Sequence, residues 1–324
     1  MESSGSVRTS RSPKMSIVLV TDRYETIRAV IDRLAAQTAR DELEIVLVGP
    51  GGDDLRDGAG LERFAAVQTV DASPVALGEA RAAGVEAASA PLVFIGETHS
   101  YPHPRMVEEL IRAHEGPWAA VVPGFGNANP NGAVSWAGFL SDYGAWVPGV
   151  QAGEIQFAPM YNASYRRSAL LEFEDRLGSA LRSGDEMGIG LRARNERVYF
   201  EPAARIDHLN VMAPPMAWVR ERYLAGVLIG AGRARRWSWA RRLLYMCAAP
   251  VLPALYLSRI RAGIRAQHRD RPVPLSAFPL ILVASLIKAA GETAGYARGM
   301  RPADDAGMTE FELHRAPYAS PGPR

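Results

Sequence analysis

Two side chains able to hold a cation or meet a phosphate stand two residues apart at the end of an apolar run. In Val93-Phe94-Ile95-Gly96-Glu97-Thr98-His99-Ser100-Tyr101-Pro102, strand-forming residues give way abruptly to Glu97 and His99, just ahead of a helix. In an open α/β sheet, ligands bind in the crevice beyond the C-terminal ends of the strands. A carboxylate and an imidazole at such a place can bind a divalent metal. The same residues also suit a polar loop that merely caps the next helix, so the surrounding elements decide between the two.

Those elements alternate. Residues 16–21 form a buried-strand run, and residues 25–36 follow with Ile27, Val30, Ile31 and Leu34 at helical spacing. Residues 43–48 are the next strand, stopped by Gly49-Pro50-Gly51-Gly52. Residues 67–70, 91–95 and 119–122 read as further strands, residues 76–88 as a helix of small residues, and a helix carrying Met106, Val107, Leu110 and Ile111 begins near Pro104. Strands alternating with helices of this length predict an α/β fold with a mainly parallel sheet flanked by helices. Ligand chemistry then belongs after Thr21, after Val48, around residues 78–81 and after Ile95. Gly49-Pro50-Gly51-Gly52 lacks the G-x-G-x-x-G spacing of a dinucleotide fingerprint, its proline removes an N–H donor, and no Walker phosphate loop is present. A metal is the better candidate for capturing nucleotide phosphates.

The chain's 324 residues suffice for one large domain plus an appendage. A formal net charge of +2 does not suit a nucleic-acid binder, and no nucleic-acid partner is expected. The single cysteine, Cys247, excludes an internal disulfide and a zinc-cluster fold. Residues 1–14 and 301–324 read as disordered tails, from their Ser, Arg, Pro and Gly content.

The order of motifs over residues 16–208 resembles family 2 glycosyltransferases of the GT-A fold. The first strand and helix end in Ala36-Gln37-Thr38, as is usual there. Ala76-Leu77-Gly78-Glu79-Ala80-Arg81-Ala82-Ala83-Gly84 is similar to the family's G-x-A-x-A-R-N-x-G, with Ala82 in place of Asn. Glu97-Thr98-His99 falls where the family has its D-x-D metal motif, and resembles the Glu-Asp-His form of some bacterial members. Tyr161-Asn162-Ala163-Ser164-Tyr165-Arg166-Arg167-Ser168-Ala169-Leu170 resembles the segment near the acceptor site. Gly184-Asp185-Glu186-Met187-Gly188-Ile189-Gly190-Leu191-Arg192 resembles the one that supplies the base, and Ala204-Arg205-Ile206-Asp207-His208 the one after it. Two departures stand out: Gly49-Pro50 replaces the family's base-binding aspartates, and the acidic pair runs Asp-Glu rather than Glu-Asp.

The resemblance implies an inverting transfer of a sugar from a nucleoside-diphosphate sugar to a lipid-linked or glycan acceptor. Glu97 and His99, with His208, would be metal or diphosphate contacts. The cofactor would be Mn²⁺ or Mg²⁺, the imidazole favouring Mn²⁺. Glu186 falls on the base position with Asp185 as its partner, and such a base supplies ~10² to 10⁴-fold in rate. Thr21, Glu25, Arg81 and Arg167 are donor-binding candidates. Trp136, Tyr143 and Trp146 read best as core, and residues 124–132, with Asn127, Asn129 and Asn131, read as a flexible loop able to close over a donor.

Beyond residue 215 the pattern changes. Arg233, Arg235 and Arg236 precede Trp237 and Trp239, and Arg241 and Arg242 follow. Residues 243–257 are apolar but broken by Pro250 and Pro253. A basic run (Arg259, Arg261, Arg265, Arg269, Arg271) leads to apolar residues 275–290. Residues 15–215 would thus be the catalytic domain. Residues 216–300 would be a helical region lying on an anionic membrane, placing the protein peripherally on the cytoplasmic face; the competing readings are helices buried against the catalytic domain or a partner subunit, and helices that span the membrane. An alternative for the whole chain is a catalytically degenerate GT-A relative that binds a nucleotide sugar or a partner.

Overall fold

The computed structural model describes residues 12–51, 55, 58–182, 184–270 and 272–319. Its apolar runs become strands of one nine-stranded sheet: β1 (Met15–Val20), β2 (Leu43–Gly49), β3 (Ala66–Asp71), β4 (Leu92–Ile95), β5 (Ser100–Pro102), β6 (Ala120–Asn127), β7 (Gly153–Ile155), β8 (Ala163–Arg166) and β9 (Val198–His208). The order is β3-β2-β1-β4-β8-β6-β9-β5, with β7 beside β9. Neighbours from β3 to β4 are parallel, so Val20, Gly49, Asp71 and Ile95 end at one edge. Every residue of β1, β2 and β4 is buried, which requires cover on both faces. That cover includes helices α1 (Tyr24–Ala35), α2 (Leu77–Ala87) and α3 (Met106–Ala113). The α/β architecture expected from the alternation is the one observed.

Two further pairings shape the functional edge. Strand β8 enters antiparallel beside β4, with Ala163 opposite Ile95, so its first residues begin at the tip of β4. Strand β9 runs parallel to β6, shifts register at Pro123/Gly124, and continues until His208 lies opposite both Asn127 and Ser100. That last register carries a histidine more than a hundred residues away to the loop holding Glu97 and His99.

Residues 124–132, expected as one loop, are strand over their first four residues and irregular over 128–132. Gly124 to Asn127 complete β6, and the Asn127 and Asn129 side chains bond Asn210 and Ser135. Helix α4 (Ala133–Tyr143) follows, with Trp136 and Tyr143 buried in the core.

After short helices α5 (Arg167–Leu171), α6 (Leu177–Ala180) and α7 (Gly184–Ala193), the chain past β9 is helical: α8 (Pro215–Ala234), α9 (Trp239–Ala248), α10 (Leu252–Asp270), α11 (Ala277–Arg298) and α12 (Pro302–Leu313). Helices α8 and α11 pack backbone to backbone. A Cβ on Gly226 would overlap the Lys288 carbonyl oxygen, and one on Gly291 would overlap that of Tyr223; Gly230 and Gly295 are equally closed by Glu292 and Val227. Two small-xxx-small stripes face each other there, the pattern that allows the closest helix approach. Two stretches, Trp239–Arg269 and Ala277–Arg298, are long and apolar enough to cross a membrane, with mean hydropathies of 1.5 and 1.4.

The disordered tail expected at residues 301–324 is corrected for residues 301–319; residues 320–324 and 1–11 lie outside the described residues. Helix α12 is buried through Met308, Phe311 and Leu313, and its first turn is fixed by Asp304, which bonds Arg298 at 2.6 Å and the Arg301 backbone N–H at 3.3 Å. The turn after it takes the Met212 N–H on the Tyr318 carbonyl at 2.7 Å. Polar composition suggested a solvated chain, but Asp304, Glu312 and Arg315 are buried and paired inside the protein.

Candidate metal centre

Glu97, His99 and His208 converge at the tip of β4, each at most 5 % exposed. Nε2 of His99 lies 3.2 Å from Nε2 of His208, and these nitrogens lie 3.5 and 3.6 Å from Oε2 of Glu97. The partners of the other ring nitrogens fix both tautomers. Nδ1 of His99 faces the Glu312 carbonyl oxygen at 3.0 Å, and Nδ1 of His208 faces Oδ1 of Asn210 at 3.1 Å. Both partners only accept, so each Nδ1 carries the hydrogen and each Nε2 presents a bare lone pair. Asn210 is itself oriented, because its Nδ2 donates to Asn127, Asn129 and the His208 carbonyl.

Burial first, and the Arg315 guanidinium second, hold both imidazoles well below their usual 6.5, so they stay neutral. Burial, then the Glu312 carboxylate, pushes the Glu97 carboxyl up to about 8. Oε2 of Glu97 accepts from Ser100 Oγ at 2.9 Å and from Asn162 Nδ2, while Oε1 has no partner among the described residues. Asn162 reaches it from a left-handed backbone conformation, φ 51°, at the start of β8.

Two imidazole lone pairs pointed at each other and a carboxylate with an idle oxygen are a poor arrangement for bare side chains and a good one for a divalent cation. Metal–ligand bonds of about 2.0–2.2 Å at tetrahedral or octahedral angles separate ligand atoms by roughly 2.8–3.6 Å, the range seen. Second-sphere partners that fix the tautomers complete the pattern. Nitrogen donors disfavour Mg²⁺, which prefers oxygen, and leave Mn²⁺ or a later divalent ion.

The remaining sequence candidates are more dispersed. Arg81 is buried near the triad, donating to the Leu181 carbonyl at 3.1 Å and Oε2 of Glu312 at 3.4 Å, with its guanidinium 5.1 Å from the Tyr161 ring centre. Thr21 is buried at the end of β1, bonded to the Arg23 carbonyl at 2.7 Å. Glu25 is exposed and shares with Arg23, Thr98, His99, Tyr101, His314 and Arg315 the wall of a cavity of about 610 Å³. Arg167 is corrected. Its guanidinium caps the end of α2 on the Val85 and Glu86 carbonyls, and its backbone N–H bonds Pro91 at the start of β4. Glu97 lies beyond the other end of that strand, about 20 Å of extended chain away, so Arg167 cannot line a diphosphate there. Glu186 is half-buried on the first turn of α7; the side chain of Asp185 lies outside the described residues. The α6–α7 region does sit against α2: a Cβ on Gly78 would overlap the Gly178 carbonyl oxygen.

Ser100, Asn162, Asn210, Glu312 and Arg315 escaped sequence reasoning. Asn162 and Ser100 lie inside quoted motifs, and their short polar side chains beside strand ends were the available signal. Glu312 and Arg315 lie in the segment read as a tail.

No family model matches this chain, and no curated protein does. Among solved structures it is similar to residues 1–349 of S. aureus TarS in complex with UDP, with a TM-score of 0.43 and 14 % identity, covering 89 % of this chain and 92 % of that one. It is also similar to the mannosyltransferase PcManGT from Pyrobaculum calidifontis in complex with GDP-Man and Mn²⁺, with a TM-score of 0.48 and 16 % identity, covering 94 % and 88 %. Likeness this distant does not assign an activity, so the site is read from its own side chains.

Proposed function

We propose that this protein is a metal-assisted glycosyltransferase of the GT-A type, moving a sugar from a nucleoside-diphosphate sugar to a lipid-linked or glycan hydroxyl with inversion. The observation that carries the reading is the Glu97–His99–His208 triad, with two lone pairs and a carboxylate aimed at one point beyond the strand ends. The motif order over residues 16–208 supplies the sugar-transfer class. When bound, a divalent cation offsets the negative charge that develops on the departing diphosphate. Glu97, His99 and His208 would hold that ion, and Arg81 would add positive charge beside them. Glu186, with Asp185, takes the acceptor proton as its oxygen bonds the anomeric carbon and the bond to diphosphate breaks.

The test is a thermal-shift panel of UDP-, GDP- and dTDP-sugars with and without Mn²⁺, joined to an assay for released nucleoside diphosphate. A metal-dependent rise in melting temperature with one donor family, and release that Glu186→Ala abolishes in a folded protein, are expected. Silence across the panel rejects the reading. Stabilisation without release would favour a binding module, a reading supported by the way α12 closes over the triad.

The same proposal places the protein peripherally on the cytoplasmic face of a membrane. Trp239, Leu243, Leu244, Leu255, Leu275 and Leu286 are exposed, as are Arg235, Arg236, Arg241, Arg259, Arg261 and Arg265 on the same helices or beside them. Apolar side chains among exposed guanidinia match an anionic lipid surface.

A further inference from the structure

We propose that the Glu312 carboxylate is an internal stand-in for the donor's diphosphate, and that Arg81 and Arg315 are the cations that receive the diphosphate once Glu312 withdraws. The inference rests on the transferase reading above. Glu312 is buried at the end of α12, with Oε2 3.4 Å from Arg81 Nη2 and Oε1 3.8 Å from Arg315 Nη2. Both guanidinia are buried, one from α2 and one from the C-terminal turn, and both act electrostatically on Glu97. An anion between two buried arginines beside a metal-ligand set occupies the place a metal-bound diphosphate needs.

The pairing is weaker than either arginine can make. Arginine binds phosphate best through two parallel N–H bonds. Here Arg81 Nε has no partner among the described residues, and neither arginine meets Glu312 closer than 3.4 Å. Without Glu312, Arg81 keeps the Leu181 carbonyl and the Tyr161 ring and stays in place with charge to spare, while Arg315 keeps the Phe311 carbonyl at 3.1 Å and travels with the segment that carries Glu312. Glu312 also repels Glu97, whereas a diphosphate would share the cation with it. The carbonyls of Glu312 and Leu313 accept from Thr98 Oγ1 at 2.9 and 3.0 Å, so the carrier of the stand-in rests on the metal loop itself. The cavity that reaches His99 is walled on one side by Glu310, Leu313, His314 and Arg315, so movement of this segment widens the path to the triad.

The test is calorimetric titration of the full chain, saturated with Mn²⁺, with UDP and with GDP, for wild type, Glu312→Gln and Arg81→Gln. Glu312→Gln keeps the backbone bonds and removes the competing charge. It should tighten binding roughly tenfold, since the closed form no longer taxes the apparent affinity, whereas Arg81→Gln should weaken it by about tenfold or more. Hydrogen exchange on the wild type keeps the test independent of variant folding: nucleotide with Mn²⁺ should speed exchange in residues 302–318. Unchanged or weaker binding by Glu312→Gln, or unmoved exchange in a wild type that binds nucleotide, overturns the stand-in and leaves the transferase reading standing. Failure of every protein to bind UDP, GDP or, in the same titration, dTDP overturns both.

Discussion

Asn210 bears on the proposed metal site without being one of its candidate ligands. The residue touches no candidate ion position, yet its Oδ1 decides which nitrogen of His208 is bare. Second-sphere partners of this kind typically contribute 10–100-fold in affinity, so Asn210→Ala should weaken Mn²⁺ binding by roughly that factor, read by electron paramagnetic resonance of free Mn²⁺. Asn210→Asp, which still accepts from Nδ1, should restore most of it. Glu97→Gln makes a sharper contrast. Burial and Glu312 already favour the uncharged acid in the absence of metal, so the neutral isostere should melt no lower than wild type while losing Mn²⁺ binding. A fall of several degrees would mean that the carboxylate is a structural anion.

His314 bears on pH. It bridges Asp22 at 3.1 Å and Glu310 at 2.9 Å. Burial opposes its charge, but the hydrogen bonds to Glu310 and Asp22 outweigh burial and raise its value above 6.5. A raised folded value means that the imidazolium stabilises the native state fully below 6.5 and that this support is lost as pH climbs through the raised value. Asp22 is shifted the other way: burial raises it, but its bonds to Thr26 and His314 prevail, so its support is lost in acid. The clasp between α12 and the start of α1 is therefore strongest at mildly acidic pH. Hydrogen-exchange protection across residues 302–318, taken relative to the intrinsic rate at each pH, should fall from pH 6.5 upward in wild type, and His314→Gln should flatten that trend.

Among the elements, the α8–α11 pair carries the clearest mechanical prediction. Gly291 and Gly230 lie against backbone, which cannot yield as a flexible side chain can. Overpacking a close contact typically costs 1–3 kcal/mol, and Gly291→Val should cost at least about 3 kcal/mol, seen as a lowered urea midpoint. Gly299→Ala tests a different property: a Cβ there meets nothing, but φ is +72°, so its smaller cost would be backbone strain alone.

The strands of the first half were legible because each buries an unbroken apolar run, which period and length reveal without knowledge of partners. Glu97 and His99 were legible for the same reason, since a charged pair interrupting such a run is conspicuous. His208 came only through resemblance, because nothing local says that β9 will bend past Pro123 to meet Ser100. Helix α12 was misread because its buried groups include Asp304, Glu312 and, just past it, Arg315. Such residues look solvated until their partners are known: Arg298 for Asp304, and, far away in sequence, Arg81 for Glu312 and Glu221 for Arg315. Arg167 was misplaced because a motif gives an order along the chain and not the end of the strand at which a side chain emerges.

At the scale of the molecule, the near-neutral total charge conceals a division of labour. Carboxylates and guanidinia cancel inside the clefts, while the guanidinia of α9 and α10 face outward beside leucines. If that surface meets lipid, the chain should sediment with vesicles containing anionic lipid and far less with neutral ones, and the difference should shrink as salt screens it. Leu244 is 65 % and Leu275 80 % exposed, so changing both to Glu should leave the melting temperature nearly unchanged, as surface substitutions usually do, while lowering the vesicle-bound fraction about tenfold or more. Equal sedimentation of wild type and double variant would remove the lipid surface as the partner of this face.

The docking of α12 has a practical corollary for anyone preparing this protein. Trimming it at Gly299, a tempting boundary on composition, would strip one wall from the cavity, uncover His99, and take from Thr98 the Glu312 and Leu313 carbonyls and from Arg81 the Glu312 carboxylate. Metal or nucleotide binding measured on so shortened a chain would describe the truncation rather than the chain with α12 docked.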